Sequence, residues 1–127
     1  MPAVVEWNRG ALGECSGHPL RDARVTVQVG DVGRVLRKAR RAYDAILLDI
    51  DNGPEGLTRE DNDWLYSIAG LVAASDALRA GGVLAVWSAG PDASFAERLR
   101  QVGFQAEQRS VRARPGKGAR HIIWLAW

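Results

Sequence analysis

One cysteine, Cys15, stands in 127 residues, so no internal disulfide can form and a reducing compartment is expected. The chain does not open on basic residues followed by an apolar core, as a secretory leader would. Nor does any apolar run approach the roughly 20 residues needed to cross a bilayer. A cytoplasmic protein without membrane contact is predicted. No Cys/His cluster with metal-ligand spacing is present. His18 sits between Gly17 and Pro19 with no acidic or cysteine neighbour and reads as a surface-loop histidine, so no metal is expected. A net charge of +2, from 17 basic and 15 acidic residues, is too small to announce a nucleic-acid binder. Internal repeats, linkers and composition breaks are absent, and the length predicts one domain with a modest core.

The most informative stretch is Tyr43–Thr58, YDAILLDIDNGPEGLT. Ala45–Leu48 is an unbroken apolar run of the kind that forms a strand buried on both faces of a parallel sheet. It stops at Asp49, Asp51 and Asn52, ahead of the turn-formers Gly53, Pro54 and Gly56. Open α/β sheets bind ligands beyond the carboxyl ends of their strands, which makes this carboxylate pair the candidate site. Asp and Asn also shape turns without any further role.

Around that stretch the pattern alternates. Pro2 to about Glu14 predicts a helix with Val4, Trp7 and Leu12 on one face. The β-branched alternation of Arg24–Val29, RVTVQV, predicts a strand, and Gly30-Asp31 closes it. Val32–Arg41 predicts a helix with Val32, Val35, Leu36 and Ala39 buried and its basic residues, Arg34 to Arg41, forming a solvated face. Thr58 and Asp61 resemble a capping box for a long helix running to about Arg79, ended by Gly81-Gly82. Val83–Trp87 predicts a buried strand, Ser94–Val102 a short helix, Phe104–Val111 a strand, Arg114–Arg120 a loop and Ile122–Trp127 a last strand. The fold class expected is α/β, a mostly parallel sheet with a C-terminal antiparallel strand pair.

The segments VQVGDVGRVL (Val27–Leu36) and YDAILLD (Tyr43–Asp49), with the later Gly81-Gly82-Val83-Leu84-Ala85, resemble the spermidine synthase family. That resemblance spans nearly the whole chain and implies the Rossmann-like class I adenosylmethionine-dependent transferase fold. It implies aminopropyl transfer from decarboxylated adenosylmethionine to a small cationic amine, with no permanently bound cofactor. Gly30, Asp31 and Val32 would form the nucleoside turn, Asp31 accepting from the adenine amino group. Asp49 would take a proton from the attacking amine. Asp51 would hold the cationic substrate, with Tyr66 as a further substrate-side residue. Asp51, Glu55, Glu60, Asp61 and Asp63 make this loop acidic in a basic chain, which suits a cationic ligand and equally suits a helix N-terminus.

The sequence also departs from that family. A loop written there roughly as Asp-Ser-Ser-Asp-Pro-x-Gly-Pro reads Asp49-Ile50-Asp51-Asn52-Gly53-Pro54 here, without its hydroxyls. No Gly-rich nucleoside loop precedes Pro2, and a biological start upstream of Met1 is expected. Alternatives stay open: a methyltransferase of the same fold using adenosylmethionine, or a non-catalytic interaction or dimerisation domain. A nucleic-acid module built on Arg34–Arg41 and Arg109–Arg120 is the weakest of these readings.

Overall fold

Alternation between strand and helix is retained over most of the chain, but the boundaries move. The computed structural model describes residues 2–50, 60–114 and 117–127. They divide into two compact units, Met1–Asp31 and Val32–Trp127.

In the first unit, helix α1 spans Pro2–Arg9, shorter than the helix to Glu14 that the sequence suggests. Gly10–Gly13 continue as turns into a 3-10 turn at Glu14–Ser16, and another follows at Pro19–Arg21. Gly17, with φ 71°, ends the first of these in the left-handed region that glycine adopts at no steric cost. The expected strand Arg24–Val29 does not form: residues 25–29 have no assigned strand or helix, and Val25, Val27 and Val29 are exposed. β-propensity expresses a fit to a pleated, half-buried surface, and without a ladder partner the alternation of valines has nothing to pack on.

The second unit is a four-stranded sheet with helices. Its elements are α2 (Val32–Lys38), β1 (Tyr43–Leu48), α3 (Glu60–Tyr66), α4 (Ile68–Ala77), β2 (Leu78–Ser88), α5 (Ala93–Gln101), β3 (Ala106–Arg114) and β4 (Lys117–Ala126). Strand order is β1-β2-β4-β3. Only β1 and β2 run parallel; β4 is antiparallel to both of its neighbours. The described sheet is therefore mixed rather than mostly parallel, while the C-terminal antiparallel pair lies where the sequence places it. The expected loop at 114–120 is mostly strand, since β4 already begins at Lys117.

Burial alternates along the C-terminal halves of β1, β2 and β4, as the two-residue period of a pleated strand requires, whereas no described residue of β3 is buried. Ile46, Leu48, Leu84, Val86, Ser88, Ile122, Trp124 and Ala126 face the core with Leu71, Ala74 and Ala77 of α4 and Phe95 and Leu99 of α5. Phe95 is fully buried and meets the rings of Tyr66 and Trp124 edge-on, at 5.9 and 5.8 Å between centroids. Edge-to-face pairs of this kind add about 0.5–1.5 kcal/mol each beyond their buried area. Trp64 of α3 is half-buried, and the Arg37 guanidinium lies over its ring at 4.2 Å. One residue of the basic run is thus a packing contact of α2 rather than part of a purely solvated face.

Two helical boundaries differ from those the sequence pattern predicts, each for an identifiable reason. The expected helix to Arg79 is two helices, broken at Ser67. Its hydroxyl accepts from the Gly70 amide at 3.2 Å and donates to the Trp64 carbonyl at 2.6 Å, capping α4 afresh. A Cβ on Gly70 would lie 2.1 Å from the Trp64 carbonyl oxygen, so only glycine permits this close turn. At the other end α4 stops at Ala77, and Gly81-Gly82 lie inside β2 rather than at the helix end. The backbone amides of Arg41 and Ala42 donate to the carbonyls of Asp76 and Ala77, both at 2.8 Å, tying the end of α4 to the start of β1. Pairing with β1 at Tyr43↔Leu78 draws the chain into strand before the glycines are reached.

Candidate active site at the ends of the parallel strands

β1 and β2 are parallel neighbours, registered at Ala45↔Val83 through Leu48↔Val86, so the chain leaves both strands at the same end of the sheet. That end carries Asp49 and Ile50 after β1, and Ala89 to Asp92 after β2. Asp49 immediately follows the buried Leu48, and its side chain is exposed. A carboxylate there is fixed in position by a core strand and open to solvent on its other side.

The segment after Asp49 is braced from α3. Tyr66, the last residue of that helix, is 4% exposed, and its hydroxyl donates to the Ile50 carbonyl at 3.2 Å. Its own carbonyl accepts from Arg98 Nε at 2.9 Å. Arg98 in turn faces Asp92, Nη2 to Oδ2 at 3.4 Å. Asp92 is buried and caps α5: its Oδ1 accepts from the Phe95 amide at 2.9 Å and from the Ser94 hydroxyl at 2.7 Å. Burial alone would push the Asp92 carboxyl up. Hydrogen bonds from Ser94 and Phe95 and the Arg98 guanidinium outweigh that and hold it below its ordinary value. Ser88, fully buried at the end of β2, donates from its hydroxyl to the Gly90 carbonyl at 2.7 Å and shapes the turn that leads to Asp92. A chain of polar contacts thus links the start of α5, the end of α3 and the residue next to Asp49.

Of the residues singled out by sequence, Asp49 and Tyr66 are brought to this end of the sheet. Tyr66 is built into the brace. Asp51 lies outside the described residues. Gly30 and Asp31 end the first unit and Val32 opens α2 in the second; Gly30 and Asp31 are both exposed. Sequence reasoning overlooked Asp92 and Arg98. The signal was present in Pro91-Asp92-Ala93-Ser94, a Pro-Asp step immediately before an amphipathic helix, which is a helix-start pattern. Placing the start at Ser94 hid the cap.

This site belongs to an α/β protein with an acidic strand end at a parallel strand pair, an arrangement suited to handling a polar or cationic ligand. The family model described as the spermine/spermidine synthase domain matches residues 2–98. The chain belongs to the spermine/spermidine synthase family. Its match ends at Arg98, within α5, and so takes in Asp49, Tyr66, Asp92 and Arg98 but not the β3–β4 hairpin. No curated protein matches the chain.

Proposed function

We propose that this chain is an aminopropyltransferase-like domain of the class I adenosylmethionine-dependent type. It would transfer the aminopropyl group of decarboxylated adenosylmethionine to a small cationic amine in a reducing, cytoplasmic setting. The observation that carries this reading is Asp49, exposed at the carboxyl end of a core strand in a chain whose family membership covers that strand.

Decarboxylated adenosylmethionine supplies a carbon activated by its bond to a positively charged sulfur. The amine nitrogen forms a bond to that carbon as the carbon–sulfur bond breaks, and the electron pair leaves with sulfur as neutral methylthioadenosine. The amine must present a free lone pair, so a proton has to leave it. Asp49 is the group assigned to take that proton, and its exposure lets the proton pass on to water. Asp51 is assigned to a second ammonium of the substrate. The turn at Gly30, Asp31 and Val32 is assigned to the nucleoside, with Asp31 accepting from the adenine amino group. In this reading Tyr66 is a positioning residue, acting through the Ile50 carbonyl.

The test is calorimetric titration of the chain with decarboxylated adenosylmethionine, together with mass spectrometry of an amine acceptor incubated with both. Asp49→Asn is expected to abolish the aminopropylated product while leaving the melting temperature within about 2 °C, because exposed substitutions stay within about 0.5 kcal/mol. Undiminished product from that variant would refute the assignment. A methylated product from adenosylmethionine would make the chain a methyltransferase instead. Neither binding nor product from folded protein would leave a non-catalytic domain.

A further inference from the structure

Among the described residues β2 pairs with β4 only from Leu84↔Ala126 to Ser88↔Ile122. The β3–β4 ladder continues past that last rung through Val111↔His121, Arg112↔Arg120 and Arg114↔Lys117. The hairpin thus runs on as a two-stranded ribbon for about 15 Å beyond the end of β2. It projects at the same end of the sheet as Asp49, because β4 is antiparallel to β2 and β1 is parallel to it.

Residues 108–127 contain five Arg or Lys and no Asp or Glu. The whole chain carries only +2, so residues 1–107 are net negative and the positive charge is gathered on this hairpin. A small net charge conceals that segregation. Arg109, at the root, pairs with Glu107. Further out Arg112, Arg114, Lys117 and Arg120 are all exposed. Arg112 stands opposite Arg120, and Arg114 opposite Lys117; like charges directly opposite each other destabilise a strand pair. Arg114, Lys117 and Arg120 have no carboxylate partner among the described residues. An external anion is the counter-charge that would offset this repulsion.

We propose that the projecting ribbon docks on the sugar-phosphate backbone of a nucleic-acid duplex. A two-stranded β-ribbon is narrow enough to enter the major groove of DNA. Arginine forks match phosphate oxygens two at a time, which a single ammonium does not. Residues 111–121 include no Trp, Tyr or Phe, so the ribbon has no ring on which to stack a single-stranded base or to seat at a membrane interface. Contacts of this kind go to phosphates and carry no direct sequence information. The association is independent of any transfer reaction at Asp49.

Fluorescence anisotropy of a short, labelled DNA duplex of mixed sequence, titrated with the 127-residue chain at several salt concentrations, tests this. Contacts from Arg112, Arg114, Lys117 and Arg120 predict a slope of log affinity against log salt of about −3 to −4. Binding then weakens about a hundredfold between roughly 50 and 200 mM salt. The double variant Arg112→Gln/Arg120→Gln is expected to make the slope shallower by about 2 and to weaken binding at least about tenfold at the lower salt. Its circular dichroism should match the parent, since both side chains are exposed. Arg41→Gln removes a charge before the start of β1, at the other end of the sheet, and is expected to leave the slope unchanged. No binding by the folded parent at about 50 mM salt, an affinity insensitive to salt, or an equal change of slope for Arg41→Gln would overturn the proposal. Tighter binding to polyglutamate than to the duplex would make the ribbon a dock for an acidic protein and overturn it as well.

Discussion

Asp92 offers the sharpest test of how the candidate site is held. It is 4% exposed and serves as both the N-cap of α5 and the counter-ion of Arg98. Asp92→Ala removes the acceptor for the Phe95 amide, a loss of about 1 kcal/mol for a cap of this kind. It also leaves Arg98 without its carboxylate. Arg98 is 28% exposed and keeps bonds to the Ser94 hydroxyl and the Tyr66 carbonyl, so water and those partners limit that part to about 1 kcal/mol. The sum is about 2 kcal/mol, which for a domain of this size lowers the melting temperature by about 6–10 °C. Asp92→Asn keeps an oxygen for the cap and loses only the charge, so about half of that loss is expected. Urea unfolding of the parent and both variants, at matched slope, separates the two contributions. The lowered Asp92 carboxyl also fixes a pH dependence. Because the folded state binds its proton less readily than the unfolded chain, its contribution is fully present above the unfolded carboxyl value near pH 4. The contribution is lost as pH falls through the lower folded value, where parent and Asp92→Asn converge. Equal destabilisation by Ala and Asn at neutral pH, or an Ala variant within 0.5 kcal/mol of the parent, would refute the dual role.

Other outcomes follow from the same structure. Tyr66→Phe keeps the ring against Phe95 and removes only the hydroxyl bonded to Ile50; about 1 kcal/mol of stability should go by thermal melt. Any aminopropyl transfer should lose kcat while co-substrate binding by calorimetry stays unchanged. Gly70→Ala places a methyl 2.1 Å from the Trp64 carbonyl oxygen; a loss above about 3 kcal/mol, or failure to fold on expression, is expected at so crowded a turn. Leu71→Ala empties a site with no exposure and should cost about 2–5 kcal/mol in urea unfolding.

The chain itself dictated the parts that depend on local chemistry. The apolar run Ala45–Leu48 with carboxylates at its end made the position of β1 and Asp49 legible, because an apolar strand and a polar strand end have separate residue vocabularies. The burial on both faces that the run predicts is not found, since Ile46 and Leu48 are buried while Ala45 and Leu47 are exposed. The antiparallel closing pair was legible from two β-rich runs without a helix between them, and Val27–Leu36 with Tyr43–Asp49 carried the family. Tertiary structure decided the rest. Arg24–Val29 has a strand's pattern and no strand, since a ladder needs a partner that no pattern within one segment can supply. The break at Ser67 was hidden because apolar spacing runs on through it, and only the crowding of Gly70 against Trp64 shows where the helix axis turns. Gly81-Gly82 look like a helix stop, yet pairing with β1 had already drawn Leu78 into the sheet. The brace from Asp92 through Arg98 and Tyr66 to Ile50 joins residues up to 42 positions apart. Such a contact is set by how α3 and α5 lie beside the strand ends, and no spacing in the sequence encodes it.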